Sequence, residues 1–213
     1  RDGELIQSPG EIKKDDPNRE KQLKKWVSTM FSFLFGDGVT AFVLSGITPT
    51  QNAIKIGKIT HGINFDESDY KKASVKLVGQ KSNQVYEYEL TAGSDILPRT
   101  LEYSKKVLMR SLGKDIKNFD KNIAESYMAE QEKIMIHTGS SKILNGLKNL
   151  YNLKDTQIKE SFDTLSEYGN LTGVSLPTVM NKALYKNELI KGKCLLVGIT
   201  MGFGVDMVEV EKN

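Results

Sequence analysis

A chain of 213 residues, 38% hydrophobic and 27% charged, is long enough to bury one sizeable core. Its formal charge of +3 comes from lysines spread along the chain, not from a dense basic block with interleaved aromatics, which argues against nucleic-acid binding. The crowded stretch from Lys21 to Lys25 reads as the solvated face of a helix. The single cysteine, Cys194, excludes a disulfide within the chain and fits a reducing, cytoplasmic setting. No apolar run is long enough to span a bilayer and no signal peptide is visible. The chain begins with Arg1 and not Met, so we expect it to be processed or cut from something longer.

Residues 1–16 are polar and read as a loop. Asp16-Pro17 has the pattern of an N-cap followed by proline in the first helical turn, which predicts a helix from Pro17 to about Phe33 with Trp26, Met30, Phe31 and Phe33 on its apolar face. Phe35-Gly-Asp-Gly38 breaks it. Val39 to Ile47 is apolar and partly β-branched, and reads as a buried strand. Three further strands are predicted at Ile54–Ile63, Ser74–Gln80 and Val85–Thr91, in a region, 64–95 above all, that has the character of an insertion. Pro98 opens a helix carrying Leu101, Val107, Leu108 and Leu112, and Ile116 to Glu130 continues as a second helical segment. A short buried strand follows at Lys133–His137. Ser140 to Leu153 places Ile143, Leu144, Leu147, Leu150 and Tyr151 at helical spacing. Further helices are expected from Asp155 to Tyr168 and from Ser175 or Pro177 to about Leu189. The last strands are Cys194–Thr200 and Phe203–Val210. Alternating helices and strands argue for a layered α/β domain with a mixed sheet.

Two residues stand out for chemistry. His137 ends the apolar run Ile134-Met-Ile, and Asn170 sits in a Gly-Asn turn leading into a helix, 170 − 137 = 33 residues later. Both are neutral or near-neutral donors at the ends of regular elements, where loops carry function, and the pair suits a developing oxyanion or enolate. From the residues alone, each has an ordinary alternative. A histidine at a strand end is commonly structural, and Gly-Asn is a common helix stop and turn. His61 lies in an exposed strand and is assigned no role. Gly36, Gly38, Gly202 and Gly204 permit either close backbone approach or ordinary turns, and Phe203 either lines a pocket or fills core.

Four segments resemble a known family. Phe35-Gly-Asp-Gly-Val-Thr-Ala-Phe-Val-Leu44 resembles the FGDGAxAxVL strand of β-ketoacyl-acyl carrier protein synthase III and of chalcone-synthase-like type III polyketide synthases. His137-Thr-Gly-Ser-Ser-Lys-Ile-Leu144 resembles the histidine strand end and following helix of both. Tyr168-Gly-Asn-Leu-Thr-Gly-Val-Ser-Leu-Pro177 resembles their Gly-Asn loop, with Ser175-Leu-Pro closer to synthase III and Leu165-Ser-Glu-Tyr closer to the polyketide enzymes. Lys191-Gly-Lys-Cys-Leu-Leu-Val-Gly-Ile-Thr-Met-Gly-Phe-Gly204 resembles the shared penultimate strand and glycine turn. The order matches, and the resemblance covers roughly residues 20–47 and 97–213.

This resemblance implies a thiolase-like layered α/β fold with a mixed sheet, mainly the second of two similar halves. Residues 1–47 would end the first half, 48–96 would form a β-rich insertion, and 97–213 would be the C-terminal half. It implies an acyltransferase that condenses an acyl thioester with a malonyl thioester by decarboxylative Claisen chemistry, in fatty acid or polyketide synthesis. Thioesters of coenzyme A or acyl carrier protein would be the substrates, with no cofactor and no metal. His137 and Asn170 would carry the oxyanion site, and Phe203, Gly202 and Gly204 would be substrate-pocket candidates. The family's nucleophilic cysteine has no match here, because Cys194 lies inside the apolar strand Cys-Leu-Leu-Val-Gly with no helix N-terminus after it to lower its pKa. The expected partners are therefore a cysteine-bearing N-terminal half, a homodimer mate and an acyl carrier protein. The alternative is a non-catalytic thiolase-fold subunit of an active condensing enzyme.

Overall fold

The computed structural model describes residues 14–23, 26, 35–46, 54–63, 96–186, 192–200 and 203–212, and the backbone of 73–82 and 85–92. A four-stranded mixed sheet organises the fold. Its strands are β1 (Ile54–Gly62), β4 (Lys133–Ile136), β5 (Gly192–Thr200) and β6 (Gly204–Lys212), in the order β1-β6-β5-β4. Antiparallel ladders join β1 to β6 and β6 to β5, while β4 runs parallel to β5. β2 (Ala73–Ser82) and β3 (Val85–Ala92) form a separate two-stranded antiparallel hairpin. Of the region read as an insertion, β1 thus belongs to the main sheet and the hairpin stands apart.

Side chains of β5 alternate between two cores, as strand geometry requires. Leu195 and Val197 face one with Ile134, Ile136, Val205 and Met207. Cys194 faces the other with Met135 and Val210. The first core is covered by α1 (Ile96–Ser111), α2 (Lys121–Ala129), α3 (Ser141–Tyr151) and α4 (Asp155–Tyr168). In α1 the buried residues at 100, 103, 104, 107, 108 and 111 form a stripe of helical period, and Met109 beside it is buried as well. The second core is covered by α5 (Ser175–Met180) and the single π-helical turn Asn181–Tyr185 that follows it.

Local chemistry sets the ends of these helices. Asp120 caps α2 through Ile123 N, so that helix starts later than the periodicity predicts. Ser140 caps α3 by accepting from Ile143 N at 3.3 Å, and Asn152 closes it in the left-handed region at φ 51°. Gln157 Oε1 accepts from Lys154 N at 2.9 Å at the start of α4.

α4 lies along the outer side of β4. Lys133 Nζ reaches Thr156 O and Glu160 Oε1, both at 2.7 Å, and the buried Ile136 N–H donates to Ser161 Oγ at 2.9 Å. Ser161 thereby gives the Ile136 N–H an acceptor of the kind a further strand would otherwise provide.

The sequence predicts a buried strand from Val39 to Ile47, of which Ile47 lies outside the described residues. Residues 36–45 instead form no strand, and Val39, Val43 and Leu44 are 97%, 100% and 77% exposed. Among the described residues only Phe35 pairs, in an isolated parallel bridge to Asn170. Apolar side chains on both faces mark a strand built to sit inside a sheet. The 213 residues place no neighbouring strand beside it among those described. Of the predicted first helix, residues 19–23 and 26 are helical; Met30, Phe31 and Phe33 lie outside the described residues.

Candidate active site

The parallel β4–β5 ladder fixes where His137 stands. Its backbone N–H donates to Val197 O at 2.9 Å, one residue past the end of β4. The chain then turns through Thr138 and Gly139 into the Ser140 cap of α3. A side chain at 139 is tightly restricted. A Cβ there would lie 3.2 Å from Ile143 Cδ1, 3.4 Å from His137 Cδ2 and 3.7 Å from His137 Nε2. Burial lowers the His137 pKa to about 4. The ring is therefore neutral at pH 7, a donor or acceptor without charge.

Asn170 arrives from the other side. α4 ends at Tyr168, and Gly169 turns the chain at φ 71° and ψ −151°, a conformation open essentially only to glycine. The Asn170 side chain is held at its oxygen. Oδ1 accepts from Thr172 N at 2.9 Å and from Ser175 Oγ at 3.5 Å. The first of these bonds supports Thr172 at φ 53°, unusual for a β-branched residue. With the oxygen engaged, the amide nitrogen is the end presented, and Nδ2 makes a long 3.5 Å contact with Gly139 O. The two candidate residues thus meet around Gly139, one by its ring and one by its amide.

A third segment closes the group. Gly36 N donates to Asn170 O at 3.0 Å. A Cβ on Gly36 would fall 2.8 Å from Leu171 Cδ2 and 2.9 Å from Tyr168 O, and one on Gly38 would fall 3.0 Å from Val174 Cγ1. Gly36 therefore serves close approach, which the sequence had left level with an ordinary turn.

The pocket candidates separate. Phe203 is 3% exposed and stacks on Tyr103, with ring centroids 6.0 Å apart and planes 3° from parallel. It belongs to the first core, and it holds a left-handed φ of 59°. Gly204 follows it at the start of β6, where a Cβ would collide with Thr200 Oγ1. Gly202 lies outside the described residues. Cys194 is buried in the second core, and its thiol is pushed up chiefly by that burial. His61 pairs with Asp206 across the β1–β6 ladder.

Sequence reasoning passed over Thr138. It is fully buried, and its hydroxyl donates to Gly169 O at 3.1 Å. Its signal was position alone, between the histidine and the glycine of the His137 motif.

No family model matches the chain. Solved structures do resemble it. The C-terminal type III polyketide synthase domain of Steely1, a type I/III hybrid from Dictyostelium, superposes with a TM-score of 0.55 at 15% identity, covering 75% of this chain and 40% of that one. CsyB complexed with CoA-SH gives 0.56 at 13%, covering 75% and 41%. An OleA variant from Xanthomonas campestris gives 0.54 at 18%, covering 75% and 40%. The chain therefore has the fold of the C-terminal half of these thiolase-fold condensing enzymes, and it spans about 40% of their length.

Proposed function

We propose that this chain is the oxyanion-bearing half of a condensing enzyme, and that its nucleophilic cysteine is supplied by polypeptide outside these 213 residues. The convergence of His137 and Asn170 on Gly139 carries the reading. In the proposed reaction an acyl group is held as a thioester on that cysteine. The C–C bond between the malonyl carboxylate and the adjoining methylene breaks, and carbon dioxide leaves. The electron pair left on carbon delocalises into the thioester carbonyl, whose oxygen becomes an enolate. His137 and Asn170 donate hydrogen bonds to that oxygen. The enolate carbon then attacks the acyl carbonyl, a C–C bond forms, and the cysteine departs as thiolate.

Neutral donors suit this task. They bind the developing charge without placing an uncompensated charge in the empty site. The coenzyme A bound to CsyB supports a coenzyme A thioester as one substrate; an acyl carrier protein thioester is the other candidate. The exposed apolar run Val39, Phe42, Val43 and Leu44 supports a further body packed against this chain. A homodimer is proposed on the resemblance alone.

The alternative is a non-catalytic subunit. It too fits a chain whose single thiol is buried, so Cys194 does not separate the two readings. The deciding experiment starts with the intact mass and N-terminal sequence of every polypeptide in the purified protein. Condensation and acyl loading are then assayed in parent, His137→Ala and Asn170→Ala proteins. An accompanying cysteine-bearing polypeptide, with condensation lost about 10²–10³-fold in each variant and loading retained, is the expected result. Unchanged condensation in both variants would leave the scaffold reading.

A further inference from the structure

We propose that Thr138 is a positioning residue that sets the direction of the Asn170 amide; this rests on the oxyanion role proposed for Asn170. Two hydrogen bonds lace residues 138–139 to residues 169–170, running in opposite directions. Thr138 Oγ1 donates to Gly169 O at 3.1 Å, and Asn170 Nδ2 donates to Gly139 O at 3.5 Å. The first is of ordinary length and the second is long. The shorter bond therefore holds the pair of segments in register.

What the Thr138 hydroxyl grips also matters. The Gly169 carbonyl belongs to the same rigid peptide plane as the Asn170 N–H. Gly169 sits at φ 71° and ψ −151°, where no side chain of its own restrains it. A hydrogen bond to that carbonyl fixes the tilt of the plane and hence the starting direction of the Asn170 side chain. Thr138 is fully buried, so water cannot replace the hydroxyl if it is removed. It also stands immediately after His137, whose own N–H is tied to Val197 O. The hydroxyl thus transmits the position of the β4 end to the Asn170 loop, and with it the spacing of the two donors.

The test uses Thr138→Val, which keeps shape and loses the donor, and Thr138→Ser, which keeps the donor and loses the methyl. Thr138→Ala serves as a second truncation should the valine variant fail to accumulate. The activity readout is decarboxylation of malonyl-coenzyme A by the purified protein with all its polypeptides. Thr138→Val is expected to lower kcat about tenfold with KM within about twofold, and Thr138→Ser to stay within about twofold of the parent. The second readout is independent of activity. With 15N-labelled asparagine, the side-chain amide pair that disappears in Asn170→Ala should shift in Thr138→Val and hold its place in Thr138→Ser. Parent kcat and an unmoved amide pair in Thr138→Val would overturn the proposal. A Thr138→Ser protein as impaired as Thr138→Val would also overturn it, by assigning the effect to the methyl. If His137→Ala and Asn170→Ala decarboxylate normally, the functional reading beneath falls. The amide resonance then decides alone, a shift supporting the positioning role and its absence refuting it.

Discussion

Gly36 and Asn170 are joined backbone to backbone, the Gly36 N–H donating to the Asn170 carbonyl at 3.0 Å. This bond ties the FGDG segment to the loop that carries the amide donor. The absence of a side chain at position 36 permits this close approach. A Cβ would press on Leu171 Cδ2 at 2.8 Å, which can move, and on Tyr168 O at 2.9 Å, which is backbone and cannot.

Gly36→Ala should therefore displace the Asn170 loop. The expected cost is about 1–3 kcal/mol of stability, the range for overpacking a well-filled site. A urea titration of parent and variant measures it. A variant as stable as the parent would show that the segment can back away without strain.

His137 gives a pH signature with a definite sign. Its pKa is lowered to about 4 in the fold, against 6.5 for an ordinary histidine. Between those values the unfolded chain binds a proton that the folded chain refuses. The contribution to stability is full above about pH 6.5 and is lost as pH falls toward 4. At about 1.4 kcal/mol per pH unit, the loss over that window is on the order of 3 kcal/mol. Denaturant midpoints measured from pH 7 to pH 4 should fall more steeply for the parent than for His137→Gln.

Ser161→Ala should cost about 1–3 kcal/mol, because it leaves the buried Ile136 N–H without the Oγ that accepts from it at 2.9 Å. Thermal or urea unfolding gives the value. Ser161→Thr keeps the acceptor and should lose less.

Cys194 should resist alkylation. Burial both hides the thiol and raises its pKa, so little thiolate is present at neutral pH. Iodoacetamide at pH 7.5 is expected to label it far more slowly than a free cysteine peptide, and urea should restore the rate. Rapid labelling of the folded protein would contradict the assignment of Cys194 to the core.

The helices facing the first core were legible because their apolar spacing and caps agree. Ile143, Leu144, Leu147 and Tyr151 mark the buried face of α3, and Ser140 marks its start. β5 and β6 were legible for the same reason, with an apolar run beside an alternating one. The positions of His137 and Asn170 at element ends were legible because local patterns identify those ends, and the structure brings both residues beside Gly139. Its supports were not. Thr138 and Ser175 are common residues whose hydroxyls matter only through partners 31 and 5 residues away. The reading of Val39–Ile47 as a buried strand failed for a different reason. Side-chain pattern reports what a segment is built to be covered by, and here the described residues do not supply the cover. β1 was assigned to an insertion because its long-range ladder with β6 leaves no local trace.

The ties from α4 to Lys133 and Ile136 act as a rivet. β4 runs on into His137, and α4 runs on through Gly169 into Asn170. One strand and one helix, fastened to each other, thus end within two residues of the two candidate donors. Any shift of the fastened pair carries both donors along together.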